Sequence, residues 1–130
     1  MSNNTMPTFD DLTPILRSLE NDIPQLNGVA LISADGRVLS HYWHGDLDPD
    51  KIGAIGAALL GLGKKAIEIL SRGDFLQVIL QSSEGMLGIY GAGEKAVMIV
   101  NVTKECNLGL LNLYAHQLAE KITPTIDQLL

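Results

Sequence analysis

The segment spanning residues 50–71 constrains the fold of this chain more than any other. It reads as one long helix, closed by Gly73 as a C-terminal cap. At 100° per residue, Ile52, Ile55, Leu59, Leu62, Ala66 and Ile69 form one apolar stripe, and Gly56, Leu60, Gly63, Ile67 and Leu70 form a second roughly 100° away. The two stripes cover roughly 200° of arc, about twice what a helix on a single surface needs. Such a helix wants two partners. Its glycines at 53, 56, 61 and 63 each forgo about 0.8–1.0 kcal/mol of helix propensity relative to alanine, and close backbone approach is the natural compensation. Gly53, Ala57 and Gly61 recur at i, i+4, i+8 and leave a groove into which another helix can press. The expectation is therefore that the first stripe lies on the chain's own sheet. The second stripe and the groove are expected to meet the same helix of a second copy across a two-fold axis.

The remainder supplies a sheet and two further helices. Residues 1–7 are polar and aperiodic and read as a tail, so the domain is expected over 8–130. Thr8 offers a helix N-cap with Asp11 three residues on, and Phe9, Leu12, Ile15, Leu16 and Leu19 follow at helical spacing, with a stop before Pro24. Residues 28–33 and 37–43 form a hairpin around Ala34-Asp35-Gly36, where glycine supplies the positive φ of a tight turn. Val29 and Leu31 on one side of the first strand, and Ala30 and Ile32 on the other, predict cover on both faces. Strands at 74–81, 86–90 and 96–102 are separated by turns containing Gly85 and Gly91-Ala92-Gly93. A last helix runs from 107 to 122 or beyond, with Leu108, Leu111, Ala115, Leu118 and Ile122 on one face. The strand after the long helix carries Leu76, Val78 and Leu80 on one side and Phe75 and Ile79 on the other. Only Asp74 offers charge, so a bare edge would be an aggregation hazard that pairing with a twin removes.

Composition excludes several function classes. The formal charge of −6 repels a phosphate backbone, and there is neither a basic stripe for nucleic acid nor a basic cluster for an anionic membrane. The longest apolar run, residues 52–63, falls short of the roughly 20 residues that span a bilayer. One cysteine, Cys106, precludes an intrachain disulfide, and the N-terminus lacks the basic and apolar regions of a signal peptide, so a cytoplasmic location is expected.

The 24–40 segment, Pro24-Gln25-Leu26-Asn27-Gly28-Val29-Ala30-Leu31-Ile32-Ser33-Ala34-Asp35-Gly36-Arg37-Val38-Leu39-Ser40, together with the helix before it, resembles the opening of Roadblock (dynein light chain) domains. Ser71-Arg72-Gly73-Asp74 and Asn107-Leu108-Gly109-Leu110-Leu111 are similar to other recurring segments of that family, and the resemblance spans roughly residues 8–125. It implies an α+β fold of the Roadblock/profilin-like kind in the order α-β-β-α-β-β-β-α. There the first and last helices lie on one face of a five-stranded antiparallel sheet and the second helix on the other. It also implies dimerisation through the second helix and third strand. On this chain that places Gly53, Gly56, Ala57, Leu60, Gly63, Lys64, Ile67, Phe75, Gln77 and Ile79 at the dimer interface. Roadblock proteins serve as dynein light chains, as scaffolds for small Ras-like GTPases, or as bacterial and archaeal GTPase-regulating partners, and the family has no shared catalytic residue.

Other motifs have ordinary explanations. Gly61-Leu62-Gly63-Lys64-Lys65-Ala66 fits a loose dinucleotide pattern but sits inside a helix instead of opening one, and Lys65 stands where a phosphate loop needs Ser or Thr. Gly91-Ala92-Gly93-Glu94-Lys95-Ala96 leads into a strand and reads as a hairpin turn. Asp46, Asp48 and Asp50 alternate like a calcium loop, yet Lys51 and Ala57 occupy its glycine and glutamate positions, so an acidic loop before a helix N-terminus explains them better. His41, His44 and Asp46 make a thin metal set, and Cys106 lies about 280° around its helix from His116. Tyr42 and Trp43 suit either a partner site or edge packing. One of Arg17, Arg37 and Arg72 could reach a GTPase site, against the plainer reading of solvated charge.

Three functions compete. A homodimeric, non-catalytic interaction module serving a small Ras-like GTPase or another scaffold subunit, with no cofactor or metal, ranks first. A small-molecule sensor with a sheet of the PAS/GAF kind is the alternative, though strands apolar on both faces predict a filled core. An enzyme ranks last for want of a nucleophile–base pair.

Overall fold

A computed structural model describes residues 7–130 of the chain, so all but Pro7 of the expected tail lies outside the described residues. A five-stranded antiparallel sheet runs in the order β2-β1-β5-β4-β3, built from β1 (Leu26–Ser33), β2 (Val38–Trp43), β3 (Gln77–Gln81), β4 (Gly85–Gly91) and β5 (Ala96–Thr103). The expected hairpin between β1 and β2 turns through Gly36, whose φ of 92° is the left-handed region glycine tolerates. The central strands β1 and β5 are buried on both faces, as their continuous apolar runs predict.

The two faces are covered unequally. On one lie short N-terminal helical pieces and the 22-residue helix α4 (Leu108–Leu129), which continues through Pro124. The N-terminal stretch is broken into a 3₁₀ turn (Phe9–Leu12), α1 (Thr13–Arg17) and α2 (Leu19–Asp22), and it ends before Pro24 as expected. The Asp11 carboxylate accepts the Thr8 N–H at 2.8 Å, which gives the entry of this segment an acceptor for an otherwise orphan donor. Leu16, Ile23, Leu31, Met98, Leu111, Ile122 and Ile126 form the main core of this face. On the other face lies α3 (Pro49–Leu70), over a thinner core of Ala30, Ile32, Leu60, Ile89, Val97 and Ile99.

Local chemistry fixes the ends of α3. The Asp48 carboxylate accepts the N–H groups of Asp50 and Lys51, so this part of the acidic loop is an N-cap. The C-cap is Ser71 and not Gly73. Ser71 adopts the left-handed conformation (φ 51°), and the N–H groups of Ser71 and Arg72 close on the carbonyls of Glu68 and Ile67; Gly73 takes its own positive φ two residues later. Among the described residues no helix is long and apolar enough to cross a membrane.

Candidate interaction face

The helix α3 makes two kinds of contact, and the expected division of its stripes holds only in part: Ile52 and Leu59 of the first stripe pack against the sheet-side core, while Ile55, Leu62 and Ile69 are exposed. Its glycine side faces the chain's own sheet. A Cβ on Gly56 would stand 2.6 Å from Ile99 Cδ1, and one on Gly63 would stand 2.7 Å from Phe75 Cε1 and 2.9 Å from Val78 Cγ2. Gly53 lies against the backbone of Gly36 in the β1–β2 turn, where any side chain would collide with the Gly36 carbonyl. Leu60 is buried in the same core. The physical reason is plain: a helix approaches a sheet most closely where it has no side chains, so the knobs of Ile99, Phe75 and Val78 fill the glycine gaps. Gly53, Gly56, Leu60 and Gly63 are thus removed from the expected partner surface. Gly61 is the exception among the four helix glycines, with open space where its Cβ would be.

Four large side chains of α3, Ile55, Leu62, Ile69 and Leu70, point outward. Leu62 and Ile69 are 68% and 69% exposed, with Ile55 less so, and their seven-residue spacing keeps them within about 20° per step along one line of the helix. Beside the C-terminal half of α3 runs β3, an edge strand of the sheet, preceded by Leu76 at 65% exposure and carrying the exposed Leu80. Ala66, Ile67, Phe75, Leu76 and Val78 line a shallow apolar groove joining helix to strand. Each large apolar side chain left wet forgoes about 1.5–3 kcal/mol that burial would supply.

The remaining residues expected at the interface are divided. Ile67 and Phe75 line the groove, Ala57 is half-buried, and Lys64 is exposed. Gln77 points to the opposite face, where its Oε1 lies 2.8 Å from His116 Nε2, and Ile79 packs against the α4-side core. Sequence reasoning placed Leu62, Leu76, Leu80, Ile55 and Ile69 on apolar stripes but gave α3's outward line to the chain's own sheet. The signal that distinguishes the two sides is size, because glycine marks the intimate contact and leucine or isoleucine at seven-residue intervals marks the open one.

Several of the other sites raised by the sequence are committed to the chain itself. The Tyr42 hydroxyl donates to Glu20 Oε2 at 2.6 Å, and His44 Nε2 meets the same oxygen at 3.0 Å. The Tyr42 hydrogen bond, with the nearby His44 and Arg17, holds the Glu20 carboxyl below its ordinary pKa despite some desolvation. Trp43 lies over Gly28, its cross-strand neighbour, so both edge aromatics pack against their own protomer. The Cys106 thiol is buried and its pKa is pushed up by desolvation, which is the opposite of activation. Arg37 stands 3.6 Å from Asp35.

A model of the family described as the Roadblock/LC7 domain matches residues 15–101, two thirds of the chain. This chain belongs to the Roadblock/LC7 family. Among curated relatives, an uncharacterized protein of Methanocaldococcus jannaschii is 26% identical over 102 residues, covering 78% of this chain and 89% of the relative. A Roadblock/LC7 domain from Streptomyces avermitilis superposes with a TM-score of 0.81 at 23% identity, covering 88% of this chain and 97% of the other. Myxococcus xanthus MglB superposes with a TM-score of 0.84 at 16% identity, covering 95% and 100% respectively. These likenesses establish the Roadblock fold, a five-stranded antiparallel sheet with helices on both faces, as the resemblance implies.

Proposed function

We propose that this Roadblock/LC7 chain is a non-catalytic, cytoplasmic interaction module that forms a homodimer and, as a dimer, regulates or scaffolds a small Ras-like GTPase. The observation carrying the reading is the set of exposed apolar residues, Ile55, Leu62 and Ile69 on α3, Leu76 just before β3 and Leu80 on that edge strand. A second copy would cover the helix line with its own α3 and satisfy the free backbone groups of β3 with its own β3, a self-complementary contact. Family membership supports the partner class, because Roadblock proteins act with small GTPases. The filled cores on both faces speak against the small-molecule alternative.

Purified protein should sediment at twice its chain mass and retain, on an affinity column, a Ras-like GTPase produced from the same genome. Leu62→Glu should abolish both while leaving the circular dichroism spectrum unchanged. Retention of every such GTPase at background level by a well-folded dimer would remove the GTPase half of the proposal.

A further inference from the structure

We propose that β2, the edge of the sheet opposite β3, takes up an extended Lys- or Arg-rich segment of a different protein as a sixth strand. This goes beyond the reading above and stands whether or not two copies pair. β2 has β1 on one side and no strand on the other. The His44 N–H donates to the Asn27 carbonyl at 2.8 Å, and the ladder then pairs Tyr42 with Val29 and Ser40 with Leu31. Bonded and non-bonded pairs alternate along an antiparallel ladder, so the N–H and C=O groups of His41 and Trp43 point away from β1. An added strand would satisfy these groups through its own backbone. A register shift between Leu31 and Ile32 confines a regular added ladder to the part of β2 after Leu39.

The side chains around this edge are already held in place. Glu20 Oε2 takes the Tyr42 hydroxyl and His44 Nε2, the Arg17 guanidinium stands 5.7 Å from the centre of the Tyr42 ring, and the Thr13 and Ser40 hydroxyls meet at 3.0 Å. Little side-chain freedom is left to lose when a strand arrives. Charge then selects the occupant. Residues 1–51, which include β2 and the N-terminal helices packed on it, hold eight acidic side chains against three basic; residues 52–130, which include β3, hold seven against six. Two copies joined through β2 would set one acidic end against another, so this edge is unsuited to its own twin. A basic segment meets the opposite field. Among the described residues neither Asp46 nor Asp50, past the end of β2, has a basic partner within the chain, and Glu20 Oε1 accepts no hydrogen bond. Carboxylate oxygens therefore remain for incoming Lys or Arg side chains.

To test it, isotope-labelled full-length protein is titrated with two synthetic octapeptides, one alternating Lys with Val and the other Glu with Val, while its backbone amides are followed by NMR. The Lys peptide should bind saturably, slow the hydrogen exchange of the His41 and Trp43 amides, and weaken roughly fivefold or more as salt rises from about 0.05 M to about 0.5 M. The Glu peptide should not bind. Glu20→Gln should weaken the Lys peptide by roughly two- to fivefold. Amide changes centred on Gln77–Gln81, equal binding of both peptides, or no saturation below about 1 mM would overturn the proposal. His41 and Trp43 amides already protected in the free protein would overturn it as well. Protection lost on dilution would then identify a second copy as the occupant, and protection lost on deleting residues 1–6 would identify the chain's own N-terminus.

Discussion

The two faces of the sheet use the same kinds of residue to different ends. Under α4 the core is built from large side chains that are wholly inside, such as Leu16, Ile23, Met98, Leu111 and Ile126, and Tyr90 closes it with its hydroxyl donated to Asn112 Oδ1 at 2.8 Å. Under α3 the core is thin, three glycines bring the helix down, and Ile55, Leu62, Ile69 and Leu70 of the helix are turned to solvent. One face is finished within the chain, while the other is finished only by something added. Stability should therefore reside chiefly in the α4 face and assembly in the α3 face, and substitutions can separate the two.

The largest effect on stability is expected on the α4 side. Leu111→Ala removes a fully buried side chain and should cost about 2–5 kcal/mol in urea unfolding, with little dependence on whether the partner surface is intact. On the α3 side, Gly56→Ala gains about 1 kcal/mol of helix propensity but drives a methyl into Ile99, so a net loss of about 1–2 kcal/mol is expected. Gly61→Ala meets open space and should instead stabilise the isolated protomer by up to about 1 kcal/mol, read as a higher melting temperature; a loss there would place an unseen neighbour at Gly61. The smallest effect concerns Glu20. Its carboxyl is held below its ordinary range, first by the Tyr42 hydroxyl, so the tie contributes above the unfolded-state value and fades as pH falls through the lowered folded-state value. Glu20→Gln should lower the melting temperature slightly at neutral pH and leave it nearly unchanged in acid below the lowered value, so that the acid-side decline is flattened.

How much of this was legible in the sequence follows the same division. The strands, the Asp35-Gly36 hairpin, the long helix and the α4 stripe were readable because each depends on local periodicity or on a turn residue with a fixed conformational need. The break of the N-terminal helix into short pieces was not readable, since Phe9, Leu12, Ile15, Leu16 and Leu19 keep a helical spacing that all of these pieces share. At the candidate site, the excess apolar arc of α3 was legible, but its phase was not. Periodicity gives the angle between two stripes and is silent on which of them meets the sheet. That choice is made by Ile99, Phe75 and Val78, residues distant in sequence whose bulk fits only against Gly56 and Gly63.

Sedimentation of the wild type beside Leu62→Glu/Ile69→Glu tests the division most directly, because both substituted residues are largely exposed in the single protomer and should alter its unfolding free energy by no more than about 0.5 kcal/mol. Wild type is expected at twice the 14.0 kDa chain mass and the variant folded at 14.0 kDa. A wild type at 14.0 kDa, or a variant that still associates as tightly as the wild type, would contradict it.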